Sequence, residues 1–473
     1  MVPDLIPESS FLIRMADGTT KQVNPFTGVE VWTVPGRADR PLGVKPETVR
    51  PLDPADHDAH CAFCARRYLE TPPEKARLAY VDGSYETIRN LRAEQLFETV
   101  AEFRRVPNLF EIVSYDYWQK NYGYTLPDIL EIRKKAYLST EEGRQHVFRV
   151  VQDRMRLHGS SAEEIDAVTP AEMTQMANGF FGGGHELIIG RRHYIDGAED
   201  DSQLASSGTL TPEEHYQYIR FTADAVRDIY VNNRYVRYVA VFQNWLNAAG
   251  ASFDHLHKQL VAIDDRGQQI DQELQLVRAN PNIFNDAAVN FAGYRNLVFA
   301  ENEHAIAFAG FGHRFPTLSI FSKSTRSEPW NHAPEELRGM SDIIHACHAA
   351  MGPDIPCNEE WYYKPPDADA PMPWRVMIKW RLQNPAGFEG GTKVYVNSID
   401  PESLRDKVVP KLFELKNAGL IAPMQIAMEC DCVPNCLRYN PAVRAAFERE
   451  PLAPQLVGGG GTSPGQAGAA GGE

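Results

Sequence analysis

The sequence predicts an α+β protein made of two copies of one unit, each an antiparallel sheet with packed helices, plus a helical insertion and a disordered C-terminal tail. Two segments of the chain repeat the order strand, capped helix, strand, strand. Short turns separate the consecutive strands, and strands joined in this way pair antiparallel. The 473 residues are 43% hydrophobic and 23% charged, as in ordinary globular proteins.

The first copy opens with the β-rich run 185–189. Thr211-Pro-Glu-Glu214 then forms a capping box with proline at the first helical position, and an apolar stripe predicts a helix through Tyr230. The alternating segment 238–244 and the run 259–263, beyond a glycine-containing turn, predict two further strands. This half of the chain therefore contains one complete unit.

The second copy repeats this order with a strand at 318–321, a capped helix opening at 333–336, and strands at 360–363 and 374–380. The same unit is therefore used twice.

Turn signals and composition divide the chain further. We expect the first unit to span residues 1–295, with a helical insertion at about 114–176, and the second to span 296–455. Residues 456–473 contain four consecutive glycines and few apolar side chains, so we expect a disordered tail.

The net charge is −15, from 48 basic and 63 acidic residues, which opposes binding to a nucleic-acid polymer. The first 14 residues do not read as a secretory leader, and no run of 18 apolar residues occurs. We therefore expect a cytoplasmic protein without a membrane segment. The seven cysteines are an odd count, which favours reduced, buried or metal-bound thiols over a disulfide framework.

The first candidate site is Gly250-Ala-Ser-Phe-Asp-His-Leu-His-Lys-Gln259, between two predicted strands. Strand alternation places His255, His257 and Gln259 on one face, where they can converge on one ligand. A polar, solvated strand end is the alternative interpretation of this spacing.

The second candidate is Cys61-Ala-Phe-Cys64, which supplies half of a tetrahedral zinc site. Histidines would have to complete the site, and ordinary free thiols are the alternative. The third candidate is the pair Arg37 and Arg40, beside proline and glycine, whose guanidinium groups can bind phosphate oxygens. Solvated surface charge is the alternative for these arginines.

Together these motifs resemble the galactose-1-phosphate uridylyltransferase-like family of the histidine-triad superfamily. The resemblance covers roughly residues 20–410 and rests on the shared order of short motifs rather than on any one of them. They are Asn-Pro-Phe-Thr-Gly (24–28), Arg-Ala-Asp-Arg-Pro (37–41), Cys-Ala-Phe-Cys (61–64), Glu-Thr-Pro-Pro-Glu (70–74), Val-Pro-Asn-Leu-Phe (106–110), His-Glu-Leu-Ile-Ile (185–189), the 250–259 motif and Ala-Gly-Phe-Glu (386–389).

The resemblance implies that His257 is a nucleophile that carries a nucleotide between a nucleotide sugar and a phosphorylated acceptor, with Gln259 as a hydrogen-bond donor to phosphate. A related possibility is a nucleotide-sugar or dinucleotide phosphorylase that uses the same histidine. A catalytically silent, zinc-containing nucleotide-binding scaffold is the alternative from a different functional class.

The resemblance also assigns supporting roles. It implies a structural zinc that holds His255, which lies two residues before the nucleophile, and a homodimer in which the neighbouring subunit donates Glu389 to the sugar hydroxyls. The implied zinc ligands are Cys61, Cys64, His193 and His255. The implied substrate-binding residues are Arg37 and Arg40 for phosphates, Asn108 and Phe110 for the base and ribose, Asn244 and Ser252 for the α-phosphate, and Glu389.

Three departures from the family pattern matter. Pro373-Trp-Arg375 stands where many relatives have a His-x-His pair near a second metal, so we expect that metal to be absent. Leu109 replaces an acidic residue that binds ribose in some relatives, which puts a preference for uridine in doubt. Lys258 replaces a small residue, and we expect its side chain to point outward, away from the nucleophile's face.

Overall fold

The computed structural model describes residues 8–36 and 49–441, and these ranges contain sixteen strands and twelve α-helices. The strands are β1 Leu12–Arg14, β2 Thr20–Val23, β3 Glu30–Thr33, β4 Ala76–Val81, β5 Ser84–Arg89, β6 Ala101–Pro107, β7 His185–Gly190, β8 Tyr238–Trp245, β9 His257–Ile263, β10 Val298–Glu301, β11 Ala305–Gly310, β12 Thr317–Ser322, β13 Cys357–Tyr362, β14 Arg375–Trp380, β15 Val394–Asn397 and β16 Gln425–Ile426.

The helices are α1 Tyr115–Tyr122, α2 Asp128–Tyr137, α3 Glu141–Leu157, α4 Ala162–Asp166, α5 Pro170–Met176, α6 Asn178–Gly182, α7 Pro212–Asn232, α8 Gln268–Ala279, α9 Phe291–Tyr294, α10 Pro334–Met351, α11 Gly387–Thr392 and α12 Pro401–Asn417. None of these helices is long and apolar enough to cross a membrane.

Twelve strands form one sheet in the order β16-β10-β11-β12-β14-β13-β8-β9-β7-β6-β4-β5, and every pair in it is antiparallel. The predicted α+β class with a duplicated antiparallel unit is confirmed. The structure adds that β8 pairs with β13, so the two units share one continuous sheet. A separate sheet, β1-β2-β3-β15, contains a parallel pair between β3 and β15.

The two copies correspond element by element. Strands β7 and β12 are each followed by a helix with proline at its first position, α7 and α10, and these two helices pack together. The pairs β8–β9 and β13–β14 complete the repeat. Helices α1 to α6 lie between β6 and β7, where the helical insertion is predicted. Helices α2, α3, α5 and α6 contribute to a separate small apolar core, whereas Tyr115 and Trp118 of α1 pack in the large core. The predicted tail at 456–473 lies outside the described residues.

The Lys258 side chain is buried, contrary to the expectation that it points to solvent. Strand alternation does turn it away from the face of His257, but that opposite face is the protein core and Lys258 is fully buried. Its Nζ donates to Glu359 Oε1 at 2.7 Å and to Gln243 Oε1 at 3.2 Å. Glu359 belongs to the second unit, so this buried ion pair joins the two copies.

A second buried ion cluster holds β7 in place, and it should make the fold sensitive to acid. Burial alone would raise the pKa of Glu186, but Arg105 and Lys75 outweigh it and lower the pKa to about 2, from 4.5 in the unfolded chain. A carboxyl group of this kind stabilises the fold above pH 4.5 and loses that contribution as the pH falls towards 2.

We expect this single group to contribute on the order of 3 kcal/mol at neutral pH. Urea unfolding measured between neutral pH and pH 3 should therefore show a smaller acid-dependent loss in Glu186→Gln than in the natural chain. Glu86→Gln, which changes an exposed carboxylate on β5, is the control and should leave the slope unchanged. An identical pH slope in Glu186→Gln would contradict this assignment.

Candidate active site and metal centre

Four side chains from three distant segments meet in a buried cluster beside β9. Cys61 and Cys64 come from the turn before β4, His193 follows β7, and His255 precedes β9. Their sulfur and Nδ1 atoms lie 3.2 to 3.8 Å apart. The structure therefore brings together all four residues that the resemblance names as zinc ligands.

The spacing of these atoms fits a tetrahedral ion. With Zn–S bonds of about 2.3 Å and Zn–N bonds of about 2.05 Å, a tetrahedron would have S–S, S–N and N–N edges of about 3.8, 3.6 and 3.3 Å. The S–S distance is 3.8 Å, the S–N distances are 3.4 to 3.8 Å, and the N–N distance is 3.2 Å. Two thiols and two imidazoles form a donor set that suits zinc.

Hydrogen bonds outside the cluster prepare the His255 ring for this role. His255 Nε2–H donates to the Gly190 carbonyl at 2.7 Å, which leaves the lone pair on Nδ1 facing the other ligands. The hydrogen bond from Cys61 lowers the pKa of the Cys64 thiol, and His193 and His255 lower it further. The cluster thus favours a thiolate, the form of cysteine that binds metals, at Cys64, whereas the same hydrogen bond and burial raise the pKa of Cys61.

His255 also positions His257. The His257 ring is buried, and its Nδ1–H donates to the backbone carbonyl of His255 at 2.7 Å. That hydrogen bond fixes the tautomer in which Nε2 carries the lone pair. Among the described residues, Nε2 has no hydrogen-bond partner, and burial lowers the pKa of His257 to about 4, so the ring is neutral at pH 7. A neutral imidazole with a free Nε2 is a competent nucleophile.

Gln259 lies on the same face of β9 and contacts His185, which is not among the predicted site residues. The amide N–H of Ile112 donates to His185 Nδ1 at 3.1 Å, so Nε2 must carry the proton of the neutral ring. His185 Nε2 lies 3.2 Å from Gln259 Oε1 and therefore donates to it. This hydrogen bond leaves the Gln259 NH₂ group as a donor for substrate. The sequence predicts a strand and a family motif at 185–189 without a site residue there. The β7–β9 register could have indicated one, because it places His185 on the face of the sheet that carries His257.

Two of the remaining predicted substrate residues, Asn108 and Asn244, lie near the face of the sheet that carries His257. Asn108 Nδ2 lies 3.0 Å from His185 Nε2, and since Nε2–H donates to Gln259 this contact is not a second hydrogen bond. Asn244 lies on the His257 face of β8, where its Oδ1 accepts from Asn358 Nδ2 at 2.7 Å. Ser252 is exposed in the loop that leads to His255.

Phe110 is exposed and stacks on His158, at the end of α3, with ring centroids 6.4 Å apart. The helical insertion therefore reaches the predicted base and ribose region. Glu389 lies on α11, beside the small sheet rather than on the large sheet that carries His257, and it accepts the Ala386 N–H at 2.9 Å. Arg37 and Arg40 lie outside the described residues.

Arg375 stands in the segment where many relatives have a His-x-His pair near a second metal, and in this structure it forms a buried ion pair. The Arg375 guanidinium forms two hydrogen bonds with the Glu273 carboxylate, at 3.1 and 2.5 Å, and both side chains are 1% exposed. The absence of a second metal stays a prediction.

Comparison with solved structures agrees with the fold. An ADP-glucose phosphorylase from Arabidopsis thaliana, solved with bound ADP-glucose, superposes with a TM-score of 0.53 at 18% identity, over 83% of this chain and 98% of that one. A GalT-like protein from the same plant gives 0.51 at 17% identity, also over 83% and 98%. The predicted resemblance to galactose-1-phosphate uridylyltransferase-like proteins is thus confirmed at the level of the fold.

Sequence comparison gives one curated relative and one family. The ADP-glucose phosphorylase of Arabidopsis thaliana is 24% identical over 177 residues, which are 36% of this chain. The chain spans about half the length of that relative in this match. The family profile described as a domain of unknown function, DUF4921, matches residues 15–439. Because that match covers most of the sequence, the chain belongs to the DUF4921 family.

Proposed function

We propose that this protein is a nucleotidyltransferase that passes a nucleoside monophosphate through a covalent bond to His257. The observation that carries the proposal is the position of the His257 ring, whose Nδ1–H is held by the carbonyl of His255 while Nε2 remains free. Residues that the family resemblance assigns to the phosphate and the base region, Asn244 and Asn108, lie on the same face of the sheet.

The reaction has two balanced steps. In the first, the Nε2 lone pair attacks the α-phosphorus of a nucleotide sugar, a P–N bond forms, and the P–O bond to the sugar 1-phosphate breaks. In the second, an oxygen of the acceptor phosphate attacks the same phosphorus and the P–N bond breaks, which restores the neutral ring. The sugar 1-phosphate leaves in the first step as an anion of low basicity, and the neutral His257 imidazole leaves in the second, so neither step needs a proton donor. Gln259 Nε2–H donates to a non-bridging oxygen, where negative charge increases in the transition state.

The Cys61, Cys64, His193 and His255 set would hold a zinc ion. Bound zinc supplies rigidity, because it fixes the His255 ring and therefore the backbone carbonyl that orients His257. The proposal includes a homodimer in which a second subunit contributes Glu389. Glu389 lies on a surface helix beside the small sheet, which is compatible with donation to a neighbour.

The acceptor is either a sugar 1-phosphate, which makes the protein a transferase, or inorganic phosphate, which makes it a phosphorylase. The similarity to an ADP-glucose phosphorylase favours inorganic phosphate and an adenine nucleotide sugar as the first pair to test.

A donor screen tests the proposal. Purified protein is mixed separately with ADP-glucose, UDP-glucose, GDP-mannose and Ap4A, and each mixture receives inorganic phosphate or galactose 1-phosphate as the acceptor. Chromatography should show acceptor-dependent release of sugar 1-phosphate, or of the second nucleotide from Ap4A, from at least one donor. Nucleotide binding without turnover of any donor would contradict the proposal and favour the silent scaffold.

His185 should act as a positioning residue for Gln259. In His185→Leu the Gln259 amide loses its hydrogen-bond donor and can rotate, so we expect kcat to fall about 10- to 100-fold. His185→Gln keeps both a donor and an acceptor, and it should recover most of kcat. Both variants should keep their bound metal and their KM for the donor. Equal losses of kcat in the two variants would contradict a role in positioning.

A further inference from the structure

The second unit contains a polar cavity on the same face of the large sheet as His257. Its volume is about 450 Å³, and the N-terminal loop around Phe26, the first turns of α8 and strands β13 and β14 surround it. The lining residues that carry the argument are Arg314, Phe315, Asn358, Arg375, Lys379 and Arg381.

This cavity occupies the position of the active site in the duplicated unit. Strand β9 begins at His257 and the corresponding strand β14 begins at Arg375. Gln259 pairs with Phe242 in the first unit, Met377 pairs with Glu360 in the second, and Phe242 pairs with Glu360 across the junction. Arg375 therefore replaces the nucleophile and Met377 replaces the glutamine. The second unit retains a cavity at this position but lacks the groups for nucleotidyl transfer.

Charge in the cavity is positive, although the chain as a whole carries −15. The Arg375 and Lys379 side chains are paired with Glu273 and Glu360. Within residues 8–36 and 49–441, by contrast, Arg314 and Arg381 form no ion pair.

The environment of Arg381 leaves part of its guanidinium unsatisfied. One Nη atom donates to Asn358 Oδ1 at 2.6 Å, and the group lies 4.5 Å from the Phe315 ring centroid. Its Nε is buried and has no partner among the described residues. Burial lowers the pKa of the neighbouring His313 to about 3, so that ring adds no charge at neutral pH. A buried guanidinium N–H without an acceptor favours binding of an anion.

Helix α8 adds to the positive potential. Gln268 and Gln269, in its first turn, line the cavity, and its N-cap is Gly267, which has no side chain to satisfy the free N–H groups. The exposed N–H groups of a twelve-residue helix carry a partial positive charge that stabilises a nearby anion.

The cavity lies close to His257 but too far away to share a phosphorus atom with it. Lys379 pairs with Asn358 and Asn358 with Asn244. Continuing the β8–β9 register two residues past the Phe242–Gln259 pair places Asn244 opposite His257. Three strand spacings of about 4.8 Å separate His257 from Lys379, a distance of about 14 Å. The hydrogen bond from Asn358 to Asn244 connects the two regions.

We propose that this second-unit cavity binds the phosphate group of a small free anion, namely inorganic phosphate or a phosphate monoester, at a site separate from His257. Guanidinium groups suit phosphate because their N–H donors match its oxygens in pairs. The inference does not depend on the reaction at His257.

Calorimetric titration of the full-length protein tests this site. Inorganic phosphate, glucose 1-phosphate and AMP are titrated into the natural chain, His257→Ala, Arg314→Met and Arg314→Met/Arg381→Met. The control is Arg278→Met, which removes an exposed arginine at the other end of α8. Comparison of the three anions identifies whether the ligand is phosphate itself, a sugar phosphate or a nucleotide.

We expect at least one of these anions to bind to His257→Ala as it does to the natural chain. Its affinity should fall at least tenfold in the double variant, fall to a smaller extent in Arg314→Met, and remain unchanged in Arg278→Met. Because Arg314 is exposed, its variant tests the site even if the Arg381 substitution destabilises the fold. Equal affinity in the natural chain and both arginine variants would overturn the proposal, as would complete loss of binding in His257→Ala.

Discussion

His257→Ala is expected to lower nucleotidyl transfer at least about 10³-fold, because it removes the atom that forms the covalent bond. A residual rate should remain, since the other residues of the site still bind and orient both substrates. Steady-state kinetics with the best donor from the screen measures the effect. The loss should lie in kcat, with little change in donor affinity.

The matched control for this variant is His304→Ala, which removes a histidine from the second unit, away from β9. Both variants should bind metal like the natural chain, because neither histidine belongs to the four-residue cluster. If His257→Ala kept more than a tenth of the natural kcat, His257 could not be the group that carries the nucleotide.

The second large effect concerns the metal. Cys64→Ser should abolish stoichiometric zinc and lower the free energy of unfolding by more than about 3 kcal/mol, since structural zinc sites contribute directly to folding. The Cys64 side chain is almost completely buried, so solvent cannot replace the lost ligand. Nucleotidyl transfer should fall as well, because His255 would no longer be fixed.

Elemental analysis and urea unfolding measure these changes. Cys430→Ser is the control, because Cys430 is a partly exposed free thiol outside the cluster, and this variant should keep its zinc. Zinc bound to Cys64→Ser at the natural stoichiometry would show that the ligand set is different.

The sequence was sufficient to predict the parts of the fold that depend on local pattern. Alternation predicted β8, the repeated order of elements predicted β14, and the capping box at Thr211 predicted the start of α7, where the Thr211 side chain accepts the Glu214 N–H. The four metal-cluster residues were also predicted, but spacing supplied only the two cysteines. His193 and His255 required the family resemblance, because they lie far from the cysteines along the chain.

The failures concern contacts between distant segments. Alternation correctly placed Lys258 on the face opposite His257, but it cannot show that Glu359 is buried there to receive its charge. His185 was overlooked for a similar reason, since its role depends on the Ile112 amide and on Gln259. The pairing of β8 with β13 likewise depends on which sheet edges meet.

The claim on which the mechanism depends is that the His257 ring becomes nucleotidylated. Intact-mass analysis of the natural chain, mixed with its donor and no acceptor, tests it most directly. The account predicts a gain of one nucleoside monophosphate that is stable in base, lost in acid, and mapped by peptide fragmentation to His257. Turnover of the donor without any such adduct, or an adduct that persists in His257→Ala, would contradict the account.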